Sequence, residues 1–127
     1  MDGKWITIGA LVGLTGVGLG AFGAHGLKSR LEPVRLQSFE VGVRYQMYHA
    51  LALVAVAWVA SSRPSGLVTA AGLSMLAGVV LFSGSLYGLT LTSWKWLGPV
   101  TPLGGGLLMA GWMLLALAGM KKGPTPP

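Results

Sequence analysis

The chain has 127 residues, 53% of them hydrophobic and only 9% charged. A soluble domain carries about a quarter charged residues, so this chain lacks the means to coat a water-facing surface. Its net charge of +6 comes from basic residues scattered between apolar runs, which suits lipid headgroups better than nucleic acid, and the absence of cysteine excludes disulfides, thiolate metal sites and cysteine nucleophiles.

Charged residues divide the chain into four apolar runs, and a spanning helix needs roughly 20 apolar residues. The runs therefore predict an all-α integral membrane four-helix bundle, one domain over residues 1–122, with spans near 5–24, 43–61, 67–91 and 99–119. The first run follows Lys4 and ends in small residues, as a signal peptide does, but it is long for one; an uncleaved helix is expected. On it, Gly9, Gly13, Gly16 and Gly20 recur every three or four residues. That stripe permits close backbone contact, which drives helix association in lipid. Packing within one bundle is the expectation, with a homo-oligomer seam or a larger membrane complex as the alternative.

Residues 26–39 mix Lys28, Arg30, Glu32 and Arg35 with leucine, valine and phenylalanine. This predicts a short interfacial segment, with Glu32-Pro33 as a helix start because proline suits the first turn. The second span then carries the densest polar set in the chain. Glu40 and Arg44 are four apart in the favourable order for an interfacial ion pair. Tyr45 and His49 share another face and Gln46 points in a third direction. Ionisable groups inside a bilayer are functional candidates by default. His49 is expected either as a neutral imidazole bonded across the bundle, to His25, Ser83, Ser85 or a carbonyl, or as half of a His25–His49 pair handling a proton or ligand.

The third run is one helix, longer than a span needs, with Gly84 and Gly88 repeating the small-residue spacing and Ser83 and Ser85 in position for interhelical hydrogen bonds. In the fourth run, Gly104, Gly105, Gly106, Ala110 and Gly111 offer a similar face. The tryptophans lie mostly near run ends, as interfacial anchors do. Residues 123–127, GPTPP, are too rich in proline for a helix. Positive charges on the two sides nearly balance (Lys4, Arg63, Lys121 and Lys122 against Lys28, Arg30, Arg35, Lys95 and Arg44), so orientation is weakly specified. No catalytic residues, metal or cofactor are expected: there is no phosphate loop, no HExxH, and Asp2 is the only aspartate.

Four motifs, GAFGAHGL (20–27), GVRYQMYHALAL (42–53), LFSGSLYGLTLTS (81–93) and LGPVTPLGGG with GW following (97–106, 111–112), resemble the small YgdD/YwdK-type proteins of bacterial inner membranes, a family of unknown function with mitochondrial relatives. The resemblance covers most of the chain. It implies about four membrane helices and no established activity, substrate or cofactor. Its signature positions fall on Gly23, His25, Gly42, Tyr45, Gln46, His49, Ser83, Gly84, Ser85, Tyr87, Thr101, Pro102 and Gly104; the chain departs at Ser93 and in the extra glycine of 104–106. The functional expectation is a non-catalytic scaffold or accessory subunit. The alternative is a binder or transporter of a small molecule, proton or lipid, using a pocket of His25, Arg44, Tyr45, Gln46 and His49.

Overall fold

The computed structural model describes residues 3–121; Asp2, Lys122 and the GPTPP tail lie outside them. Four long helices follow one another: α1 Lys4–Phe22, α2 Pro33–Ser62, α3 Gly66–Leu91 and α4 Val100–Met120. A single wider π turn, Gly23–Leu27, extends α1, and a short 3₁₀ turn, Lys95–Leu97, precedes α4. Among the described residues there is no strand.

The expected interfacial segment forms no separate element. Only residues 28–32 are irregular, closed by Arg30 N–H and Leu31 N–H donating to the Leu27 carbonyl. Pro33 then starts α2 at its first turn, where a missing N–H costs nothing. From there to Ser62 no proline interrupts the helix, so the polar and apolar parts of the segment form one rod of 30 residues, about 45 Å long. Ser65 caps α3, its hydroxyl accepting from Val68 N–H at 3.3 Å.

Neighbours in sequence are neighbours in space. α2 packs antiparallel against α1 on one side and α3 on the other, and α3 packs most extensively against α4. α1 with its π turn, α3, and α4 with its leading turn are long and apolar enough to cross a membrane. α2 is interrupted by Gln46, Tyr45, Tyr48 and His49 and does not meet the same measure, yet it runs alongside helices that do. The molecule is an integral membrane bundle of four helices.

Glycines set the helix separations. Gly9 and Gly13 lie on Ala50, Gly16 on Met47 and Gly20 on Val43, so the α1 stripe is used within the chain. At Gly104 the backbones of α3 and α4 are in contact: a Cβ there would come within 2.8 Å of Phe82 Cα. Gly88 is covered by Leu97, whereas Gly84 has no neighbour within 4 Å and takes no part in packing inside the chain.

Apolar and polar contacts occupy different halves. Trp5, Leu53, Val56, Val68, Met75 and Ala118 cluster towards the end that holds the α2–α3 turn. Trp5 is therefore a core residue, seated on Gly72 and 5% exposed, instead of the interfacial anchor expected from its position. Trp58, Trp94 and Trp96 remain exposed. At the other end Phe39 is fully buried between Phe22 and Tyr87, with ring centroids 6.4 and 5.0 Å away.

Candidate functional site

Gln46 ties three helices together. Its Nε2 donates to the Val12 carbonyl at 3.0 Å and to Thr15 Oγ1 at 2.9 Å, both on α1. Its Oε1 accepts from the Tyr87 hydroxyl of α3 at 2.6 Å. A primary amide has two N–H donors and one carbonyl acceptor, and all are used. The close approach of α1 at Gly16, whose Cβ would strike Met47 and approach Gln46, is what brings Val12 and Thr15 within reach. In hydrocarbon an unsatisfied polar group costs several kcal/mol, so this node works as a closed clamp.

His49, one turn further along α2, faces the other way. Its Nε2 accepts from the indole N–H of Trp112 on α4 at 3.0 Å. Tryptophan can only donate, so Nε2 is the unprotonated nitrogen. The proton sits on Nδ1 and is donated to the Tyr45 carbonyl at 2.7 Å. The ring is thus held as one neutral tautomer, 4% exposed, with Trp112 edge-on at a centroid distance of 5.9 Å.

The depth of this site follows from helix register. Gly42 lies against Leu86 and Tyr87, and Ser83 Oγ donates to the Gly42 carbonyl at 2.6 Å. Seven residues on, antiparallel α2 brings His49 level with Gly78, the middle of Gly66–Leu91. His49 is therefore near the midplane of the bundle, deeper than its place early in the second apolar run suggests.

Beside His49 an open groove of about 490 Å³ runs between α2 and α4, floored by α3. Tyr45, Phe82, Met109 and Trp112 form its walls, and Pro102, Gly105 and Gly106 leave its α4 side low. Tyr45 and Phe82 rings meet at 5.0 Å.

The remaining candidates divide. Ser85 bonds Thr101 of α4 and the Phe82 carbonyl, so both serines serve interhelical or backbone hydrogen bonds. His25 does not meet His49. It is exposed in the π turn, whereas His49 is level with Gly13, twelve residues away along α1, or about 18 Å. The Glu40–Arg44 ion pair does not form among the described residues; both side chains are exposed on α2, where sharing a helix face allows such a pair but does not fix the two rotamers that make it. Thr15 and Trp112 were not expected as partners. The available signal for Trp112 was its place inside the fourth run, away from either end. Among the described residues no three His, Cys, Asp or Glu side chains are grouped to hold a metal.

The family described as Protein of unknown function (DUF423) matches residues 19–105. The chain belongs to this family. It is 48% identical over 118 residues to the UPF0382 membrane protein YwdK of Bacillus subtilis, covering 92% of this chain and 96% of that one. A Staphylococcus haemolyticus UPF0382 membrane protein is 46% identical over 117 residues, covering 92% and 95%. One from Haemophilus influenzae is 40% identical over 122 residues, covering 96% and 98%. No solved structure matches significantly. With these bacterial membrane relatives and its long apolar helices, the chain is a multi-pass protein of the bacterial inner membrane, in contact with the lipid bilayer.

The DUF423 match contains Gln46, Tyr87, His49, Tyr45 and Phe82, but ends before Met109 and Trp112. The closed clamp thus has its two α1 partners, Val12 and Thr15, before the matched stretch, and the groove has its α4 wall partly beyond it.

Proposed function

We propose that this DUF423 protein binds a largely apolar molecule, a lipid chain or ring-bearing hydrophobic ligand, in the α2–α4 groove, and that it acts without catalysis. The observation that carries this reading is the groove itself: about 490 Å³, within the range of small-molecule sites, walled by aromatics, and holding one polar pair, His49 and Trp112, at the midplane. That pair is satisfied internally, so the groove selects a ligand by shape and aromatic surface. Non-catalytic use is supported by the engagement of both His49 nitrogens, which leaves no free base beside the groove.

The test is mass spectrometry of the organic extract of protein purified from membranes. Gly106 lines the groove and a Cβ there would meet nothing within 4 Å, so Gly106→Leu places a side chain at the groove. Gly18 is equally open but lies on α1, so Gly18→Leu is the control. An apolar compound retained near stoichiometrically by the wild type and Gly18→Leu, and lost in Gly106→Leu, supports binding. Equal recovery from all three removes the groove from consideration.

The scaffold or accessory reading draws on a different observation, the complete internal satisfaction of Gln46 and His49. Purification in mild detergent with stoichiometric partner chains, and no apolar compound in the extract, would favour it over ligand binding.

A further inference from the structure

We infer that two copies of the chain associate side by side, with the same orientation, through the outward face of α2, and that Glu40 of each copy pairs with Arg44 of the other. This concerns a different face from the groove and does not rest on the ligand-binding reading.

The inference starts from where charge lies. Lys4, Arg63 and Lys121 mark one end of the bundle, and Lys28, Arg30, Glu32, Arg35 and Lys95 mark the other. Among the described residues only Glu40 and Arg44 are charged between them. The register that sets His49 at midlevel puts Arg44 about 7.5 Å and Glu40 about 13.5 Å from that level along α2. Both fall inside a hydrocarbon half-thickness of about 15 Å. Both are exposed, and neither has an ion pair or side-chain hydrogen bond within the described residues. Such groups are costly in lipid and normally pair with one another or with backbone.

Arg44 alone could reach a lipid phosphate by leaning outward along the helix. Glu40 could not be served that way, because a headgroup phosphate repels it. A second α2 supplies both needs at once. Glu40 and Arg44 share one stripe with Tyr48, Leu51 and Trp58, which are 53%, 69% and 72% exposed. A stripe carrying an acid and a base one turn apart is complementary to itself, as a two-fold interface requires. Orientation follows from the same positions. Antiparallel pairing of Glu40 with Arg44 would centre on Gly42, seven residues from midlevel, and would displace the two membrane slabs by about 21 Å. Parallel copies keep them level.

The chain has no cysteine, which makes the test direct. Leu51→Cys is introduced into the full chain and oxidised in native membranes, with Leu14→Cys on α1 and Met109→Cys on α4 as controls. We expect a disulfide-linked dimer for Leu51→Cys only. Adding Arg44→Glu, or the milder Arg44→Gln, should abolish the dimer band. Adding Glu40→Arg together with Arg44→Glu should restore it, which also shows that the charge-reversed chain folds. The inference is overturned if Leu51→Cys stays monomeric, if the control sites crosslink equally, or if the band survives Arg44→Glu. A monomer whose bound anionic phospholipid, read by native mass spectrometry, falls on Arg44→Gln would assign the face to lipid headgroups and likewise overturn it.

Discussion

The two sides of α2 solve the same problem in opposite ways. Gln46 and His49 are three residues apart, both buried, both near the midplane, and both fully hydrogen-bonded. On the Gln46 side α1 and α3 close over the amide, and its partners come from both. On the His49 side α4 supplies the Trp112 bond, and the 490 Å³ groove remains beside it. The difference is made by neighbours. Small residues let α1 sit on α2 at Gly9, Gly13 and Gly16, while α4 is held by α3 through Gly78, Gly104 and Gly111 and so stands off from α2. One node is a clamp, and the other is a bond spanning a gap.

The strongest way to break this contrast is Gln46→Leu. It leaves the Tyr87 hydroxyl without its Gln46 acceptor, whereas Thr15 keeps its bonds to the Leu11 and Val12 carbonyls, and an orphaned buried polar group costs about 1–3 kcal/mol. We expect a loss of about 2 kcal/mol in the unfolding of purified protein by a denaturing detergent, with α1 separating first. A loss under half a kcal/mol would mean that the amide is only an accompaniment to glycine packing.

A sharper comparison uses two double-mutant cycles. Gln46→Leu with Tyr87→Phe probes the closed side, and His49→Phe with Trp112→Phe probes the open one. Hydrogen bonds inside membrane proteins average about 0.6 kcal/mol in such cycles and reach about 1.7. The Gln46–Tyr87 coupling should fall near the upper value, because the amide is also fixed by two bonds to α1. The His49–Trp112 coupling should fall near or below the mean, because Trp112 is 47% exposed and its side chain has room to turn away. Equal couplings would show that the groove does not loosen the bond beside it.

These residues also mark how far the sequence could be read. The four runs were legible because so few charges interrupt them, and the α1 stripe because three- and four-residue spacing identifies a helical face. Glu32-Pro33 was legible as a helix start, but of a short interfacial segment ahead of a span from residue 43; it opens α2 itself. The polar cluster was legible as a set, but not in its pairing. Trp112 is 63 residues from His49, and Thr15 is 31 from Gln46. Spacing fixes which face a residue shares, but not which helix lies against that face. The His25–His49 pairing failed for a related reason. Both residues flank the first connection in sequence, yet α2 begins at Pro33 and carries His49 about three turns further from the connection than a start at residue 43 would.

The smallest effect expected is also the most informative about the open side. Gly106→Leu adds a side chain where nothing lies within 4 Å, and it replaces a poor helix former with a good one. Glycine costs a helix interior about 0.8–1 kcal/mol relative to the best residues. In lipid, where the separated helices stay formed, only part of that difference is felt on unfolding. We therefore expect a gain of a few tenths of a kcal/mol in the same detergent titration, or none, with His49→Phe remaining destabilising by about 1 kcal/mol in either background. Additivity of the two changes would mean that the groove can be filled without disturbing the His49–Trp112 bond. A clear loss of stability in Gly106→Leu would instead show that α4 closes on α2 in the membrane, and that the gap separating the two sides of α2 is not kept there.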